Sequence, residues 1–280
     1  MAPQANAALP HHVDAPLTYL MPGERPVTYT YEPPPGVPWR TGTYADVRVP
    51  VADGRGERFS LDRHGFALIK RASAVGDFSD ENTIRSVYMR ECEQIMREAT
   101  GAAKVIAFDY NLRSGSVVGR AANGVREPVR RVHNDFTLKS GPRRAAAELC
   151  AVGEDPEKLL EYRFALINLW RPVRGPVRAT PLAVCDAGSL TLQDFVETDL
   201  VYRDRVGETY TVMHSPRHRW FYFPDMHTDE ALLLKCYDSD EGGLARFTAH
   251  AAFDDPTTPP GAEPRESIEV RTLVIYGSED

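Results

Sequence analysis

The sequence lacks most of the features that usually announce a function. It has four cysteines (Cys92, Cys150, Cys185 and Cys236), and no two stand in a CxxC spacing. That excludes a zinc ribbon. Disulfide frameworks belong to short secreted chains, so buried reduced thiols in a cytoplasmic protein are expected. Neither GxGxxG, nor GxxxxGK with a following Ser or Thr, nor GxSxG occurs. The Gly-rich phosphate cradles and the nucleophile elbow are therefore missing. No run approaches the roughly 20 consecutive apolar residues of a membrane span. The first 20 residues have no basic segment followed by an apolar stretch, so no export signal is expected. Cations are also in deficit, 33 Lys and Arg against 40 Asp and Glu for a net charge of −7. That argues against nucleic acid as a partner, because affinity for phosphates rests on clustered cations. The basic run 126–131 is too short to change this.

What is present is ordinary globular material, 42% apolar and 26% charged over 280 residues. No internal repeat is found. Residues 1–60 hold ten of the 22 prolines and little periodicity. They are expected to form an extended N-terminal segment packed on a core domain of residues 61–280. Such a segment could cover its own barrel or that of a second copy, so a homodimer is allowed.

Two helical stretches stand out. Between 81 and 100, Ile84, Val87, Tyr88, Cys92, Ile95 and Met96 recur at three- and four-residue spacing, with Asp80 placed to cap the start and Gly101 to end it. Residues 142–162 read as two short helices, because Asp155-Pro156 is a cap followed by proline. Most of the remainder is β-branched and aromatic runs between turn residues. The strands are expected at 65–70, 104–111, 129–137, 163–171, 181–185, 195–202, 209–214, 219–223, 230–237, 245–253 and 267–276. The strands do not alternate with helices, which argues against a doubly wound nucleotide fold. The pattern indicates a mainly β double-sheet barrel, or jelly roll, with flanking helices.

The chemistry gathers around His133-Asn134-Asp135. Two histidines and one carboxylate on one face of an octahedral ion leave three positions open, the ligand set of non-heme Fe(II) oxygenases. On a strand, residues i and i+2 share a face, so His133 and Asp135 can chelate one metal. His-x-Asp also occurs at His12-Val13-Asp14 and His227-Thr228-Asp229. The first lies in the Pro-rich segment and the second in a turn. Only the central copy sits in a strand-like run with room after it for a barrel. His214, His218, His227 and His250 are the candidates for the third ligand. His250 fits best, because it lies in a late strand with one more strand after it. Then comes Arg265-Glu266-Ser267, which puts a guanidinium and a hydroxyl on one face as a receptor for a carboxylate.

The stretches FDYNLR (108–113), VHNDF (132–136), NLWRP (168–172), PLA (181–183), KCYDS (235–239), HAAF (250–253) and PRESIEVR (264–271) resemble the CmcJ/NvfI-like oxidoreductases, which tailor natural products. The resemblance runs from about residue 15 to 276. It implies a double-stranded β-helix, Fe(II) held by His133, Asp135 and His250, and 2-oxoglutarate as cosubstrate held by Arg265 and Ser267. The spacing from His250 to Arg265 is longer than in related families, so Arg271 stands as the alternative anchor. Asn168 is placed to hydrogen-bond the cosubstrate or a ligand. Trp170, Trp220 and Tyr222 are candidate pocket walls, and Arg113 and Arg120 candidate cations at the barrel mouth. The turn 214–218 is expected at the surface.

The function expected is an Fe(II)/2-oxoglutarate-dependent dioxygenase that hydroxylates, desaturates or cyclises a small specialised metabolite, with dioxygen as co-reactant. Two alternatives stay open: an Fe(II) oxygenase that does not use 2-oxoglutarate, and a non-catalytic cupin-like metabolite-binding module.

Overall fold

The computed structural model describes residues 11–116 and 125–277. Among them fourteen strands, numbered in chain order, build two sheets. The five-stranded sheet runs β4 (Phe66–Lys70), β12 (Glu230–Asp238), β7 (Phe164–Pro172), β14 (Glu266–Ile275), β5 (Lys104–Ser114), every neighbour antiparallel. The nine-stranded sheet runs β1 (His12–Leu20), β3 (Tyr44–Asp53), β11 (Trp220–Tyr222), β8 (Leu182–Cys185), β13 (His250–Ala252), β6 (His133–Asn134), β10 (Val206–Val212), β9 (Phe195–Val201), β2 (Val27–Tyr29). Together they form the expected jelly roll.

Period-two alternation assigns each strand's side chains to a layer. In β7, Phe164, Leu166 and Trp170 join Val184, Phe221, Leu234 and Leu273 in the core between the sheets. Ala165, Ile167 and Leu169 face the other way, with Val270 and Val274, under the helical stretch 81–100. That stretch begins where Asp80 accepts from the Asn82 and Thr83 amides and ends at Gly101 in the left-handed region, with a π-helical turn at Ile84–Tyr88. The second helical region is Ser140–Ala151 followed by Pro156–Leu159, the latter capped by Asp155. Ala145 and Leu149 of the former are buried at the end of the inter-sheet core.

A third cluster lies on the far side of the nine-stranded sheet. There Val13, Leu17 and Tyr19 of β1 pack on Ala183, Cys185, Trp220, Tyr222 and Ala251. The first 60 residues thus do more than lie over the surface. β1 and β3 pair along nine positions and β11 runs parallel to β3, so they are integral strands. The far edge of β1 returns to bridge Arg131 and Met213, so the sheet curls back on itself. The proline density hid these strands, but prolines are tolerated at sheet edges.

Several expectations change in detail. The run 129–137 is strand only at His133–Asn134, and 245–253 only at His250–Ala252. Trp220 and Tyr222 face the third cluster rather than the inter-sheet space. His218 is buried rather than exposed, with Tyr19 Oη at 3.3 Å from its Nδ1. Cys150 is exposed, whereas the other three thiols are buried. Among the described residues no helix is long and apolar enough to cross a membrane.

Candidate metal centre

His133 and His250 lie side by side because β6 and β13 pair at that one position, His250 opposite His133. Their neighbours Val132, Ala249 and Ala251 point into the third cluster, so alternation turns both imidazoles toward the five-stranded sheet. The ring centroids are 4.4 Å apart. Each ring is oriented by its own backbone two residues back. His133 Nδ1 stands 2.8 Å from the Arg131 carbonyl and His250 Nδ1 3.0 Å from the Thr248 carbonyl. A carbonyl only accepts, so Nδ1 carries the hydrogen in both rings and Nε2 is the free lone pair.

Thr248 is fixed in turn. Its hydroxyl donates to the Gly65 carbonyl at 2.8 Å and its amide to Asn134 Oδ1 at 3.3 Å. Gly65 has φ +82°, and a Cβ there would stand 2.0 Å from Thr248 Oγ1. Only glycine fits.

Asp135 follows β6 and turns Oδ1 toward His133 Nε2, at 3.7 Å. Its Oδ2 is already engaged. Asn168 Nδ2 donates to it at 2.9 Å and Arg271 Nε at 3.0 Å. The carboxylate therefore presents one oxygen. The candidate ligand atoms of His133, Asp135 and His250 all lie within 4.8 Å of one another, and they are the one such group among the described residues. His214, His218 and His227 stand outside it.

Electrostatics suit the donor set to a divalent cation. Burial, then the neighbouring His250, pushes His133 down to about 3, so the imidazole is neutral near pH 7. Burial alone would raise the Asp135 carboxyl. Arg271 and the two histidines outweigh it and hold the group well below the usual carboxylate range. Two imidazoles and one carboxylate are a donor set that a borderline metal ion takes.

The opposite wall is β14, where period two sets Ser267, Glu269 and Arg271, with Arg265 one residue ahead of the strand, toward the metal centre. The two arginines differ. Arg271 is surrounded by carboxylates: Asp135, Asp109 at 2.8 Å from Nη1, and Glu269 at 3.7 Å from Nη2. Arg265 is 3% exposed and touches no carboxylate among the described residues. Its Nη1 donates to the Thr180 carbonyl at 2.9 Å, its Cζ lies 5.4 Å over the Trp170 ring, and its Nε has no acceptor. Burial and then the charge of Arg113 push this guanidinium down to about 9. Thr180 itself is held at φ 51°, a strained conformation for a β-branched residue.

Beside Arg265, Ser267 is 1% exposed and its hydroxyl has no partner among the described residues. An unpaired buried guanidinium and an orphaned hydroxyl on one strand face form a seat for a carboxylate. The residues fit both a metal ion and a dicarboxylate running from it to Arg265.

All seven candidate site residues thus border the space between the sheets. Trp170 is there as well. Arg113 pairs in register with Ser267 and donates from Nη1 to the Glu127 carbonyl at 2.8 Å; Arg120 lies outside the described residues. Sequence reasoning missed Asp109 and Glu269, the other two carboxylates on Arg271. Glu269 was within reach, two positions from both Ser267 and Arg271 on one strand face. Asp109 meets Arg271 only through the pairing of β5 with β14, and no local signal marks it.

The family described as an oxidoreductase/YMDC permease-like domain matches residues 17–275. The alpha-ketoglutarate-dependent dioxygenase phiK of Fungal sp. (strain ATCC 74256) is 34% identical over 235 residues, 81% of this chain and 83% of that protein. The hydroxylase/desaturase CTB9 of Cercospora beticola is 32% identical over 255 residues, covering 84% and 77%. Among solved structures, the iron and alpha-ketoglutarate-dependent endoperoxidase NvfI superposes with a TM-score of 0.85 at 27% identity, over 95% of this chain and 98% of that one.

Proposed function

The chain belongs to the oxidoreductase/YMDC permease-like family and is an Fe(II)/2-oxoglutarate-dependent dioxygenase, and from that premise we propose that His133, Asp135 and His250 hold the iron while Arg265 and Ser267 seat the far carboxylate of 2-oxoglutarate. The observation that carries the assignment is the contrast along β14. Arg271 is neutralised by Asp135, Asp109 and Glu269, while Arg265 is buried without a counter-ion among the described residues.

When bound, iron and 2-oxoglutarate supply activation of dioxygen coupled to oxidative decarboxylation of the cosubstrate. The chain's own residues do the rest. The Arg131 and Thr248 carbonyls hold the imidazoles with Nε2 forward. Asn168 and Arg271 occupy Asp135 Oδ2, which keeps that carboxylate to a single ligand oxygen and leaves room for cosubstrate and dioxygen. Arg265 and Ser267 orient the dicarboxylate, and Trp170 backs the guanidinium. The substrate is a small specialised metabolite, with a positioned C–H oxidised by hydroxylation, desaturation or ring closure.

The test is anaerobic addition of Fe(II) and then 2-oxoglutarate to metal-free protein, following the visible charge-transfer band of the chelate. The band forms in wild type and is lost in His250→Ala. In Arg265→Ala it needs far more 2-oxoglutarate. Iron binding without a band would remove 2-oxoglutarate from the reading, and no iron binding would remove the metal centre.

A further inference from the structure

The outer face of the five-stranded sheet carries one residue that alternation and apolar packing do not explain. Arg171 follows Trp170 on β7, so it points away from the iron side, into the layer beneath the helical stretch 81–100. It is 1% exposed. Its Nη1 donates to the Thr228 carbonyl at 3.2 Å and its Cζ lies 5.7 Å from the Tyr88 ring centroid. Nε and Nη2 have no acceptor among the described residues.

No carboxylate among the described residues is within ion-pair distance of it. Glu91 is taken by the Ser73 hydroxyl at 2.5 Å and the Ala74 amide at 3.0 Å. Asp229 is on Lys70 at 3.4 Å. A buried cation without a counter-ion is costly, and folded proteins pair or ligate such groups.

Arg171 also lines a cavity of about 190 Å³, bordered by Ser73, Gly76, Phe78, Val173, Thr228 and Asp229. At roughly 30 Å³ per water molecule, that is space for about six waters, or for a small ion and part of its hydration. We propose that this cavity is an anion site separate from the iron centre, taking a small oxyanion on the Arg171 guanidinium. A guanidinium whose Nε and Nη2 have no acceptor among the described residues is the side chain best matched to an oxyanion.

Calorimetric titration of the full chain with inorganic phosphate and, separately, with acetate tests the site and distinguishes a mineral from a carboxylate occupant. One anion is expected to bind with 1:1 stoichiometry to wild type whose Arg265 seat is filled by saturating 2-oxoglutarate, and equally to Arg265→Met, which lacks that seat. Affinity should fall at least tenfold in Arg171→Met. Hydrogen exchange on wild type, which needs no variant to fold, should show the amides of residues 72–76 slowed by the same anion. Three results would overturn the proposal: no saturable binding, binding that survives Arg171→Met, or binding lost only in Arg265→Met. Unchanged exchange at 72–76 under saturating anion would do the same and leave the cavity to water.

Discussion

The two sheets meet at the site with different ways of holding a side chain. On the nine-stranded sheet, each imidazole is set by a carbonyl two residues away on its own chain, Arg131 for His133 and Thr248 for His250. On the five-stranded sheet nothing is local. Asn168 on β7 and Arg271 on β14 are register neighbours that reach across to Asp135. Arg265 is defined by the carboxylate it does not have. In the proposed site, imidazole orientation is thus a backbone property, whereas the single free oxygen of Asp135 and the free guanidinium of Arg265 are properties of charge placed from the other sheet.

Crossing the two β14 arginines breaks that comparison most directly. Arg271→Met is expected to weaken Fe(II) binding by about 10- to 100-fold, the range for outer residues that orient a metal ligand, and to destabilise the protein, since a broken buried ion pair costs about 3–5 kcal/mol. Its KM for 2-oxoglutarate should change far less. Arg265→Met should do the reverse, raising that KM by roughly 10- to 100-fold for a lost charge-assisted hydrogen bond of about 1.5–3 kcal/mol, with Fe(II) affinity nearly intact. Metal titration and steady-state kinetics on the pair would reveal either exchange of roles.

The pH dependence of metal-free protein sharpens the other side. His133 falls from an ordinary value near 6.5 to about 3 on folding. The unfolded chain therefore binds the extra proton between those values, and stability drops as pH falls through that window. At about 1.4 kcal/mol per unit, some 2 kcal/mol is lost between pH 6.5 and pH 5. The Asp135 carboxyl is also depressed, so it adds a loss of the same sign further down, below the ordinary carboxylate range. Urea titrations at pH 7, 6 and 5 in the presence of a chelator measure the slope, and His133→Phe should flatten it. A slope unchanged in that variant would show that burial does not hold the ring neutral.

The smallest effect is expected from Ser267→Ala. A single neutral hydrogen bond of about 0.5–1.5 kcal/mol corresponds to a roughly two- to tenfold rise in the KM for 2-oxoglutarate. A rise as large as that of Arg265→Met would mean that the hydroxyl, not the guanidinium, is the principal anchor.

The parts of this molecule that were legible in the sequence are those whose physics is local. Asp80 and Gly101 bracket their helical stretch because a cap needs only its own next turn. His133 and Asp135 were legible as a pair from their spacing of two, although the strand ends at Asn134 and Asp135 turns to His133 from the bend after it, and the long run of strands after them left room for His250. The strands of the first 60 residues were hidden, because β1 and β3 are stabilised by each other and by β11 rather than by any apolar run of their own. Trp220 and Tyr222 looked like pocket walls, since an alternating strand shows two faces but not which cluster each will meet.

Arg265 and Arg271 divide the two kinds of information most clearly. By itself the sequence determined that both stand on one face of the last strand, near two histidines and a carboxylate. Which of them is free was decided only by tertiary structure. The register of β14 against β5 and β7 sets Arg271 opposite Asp109 and Asn168, against Asp135, while Arg265 lies over Trp170 with no carboxylate among the described residues within ion-pair distance. Electrostatic compensation acts through space between strands far apart in the chain, so periodicity places a charge and only the fold supplies or withholds its partner.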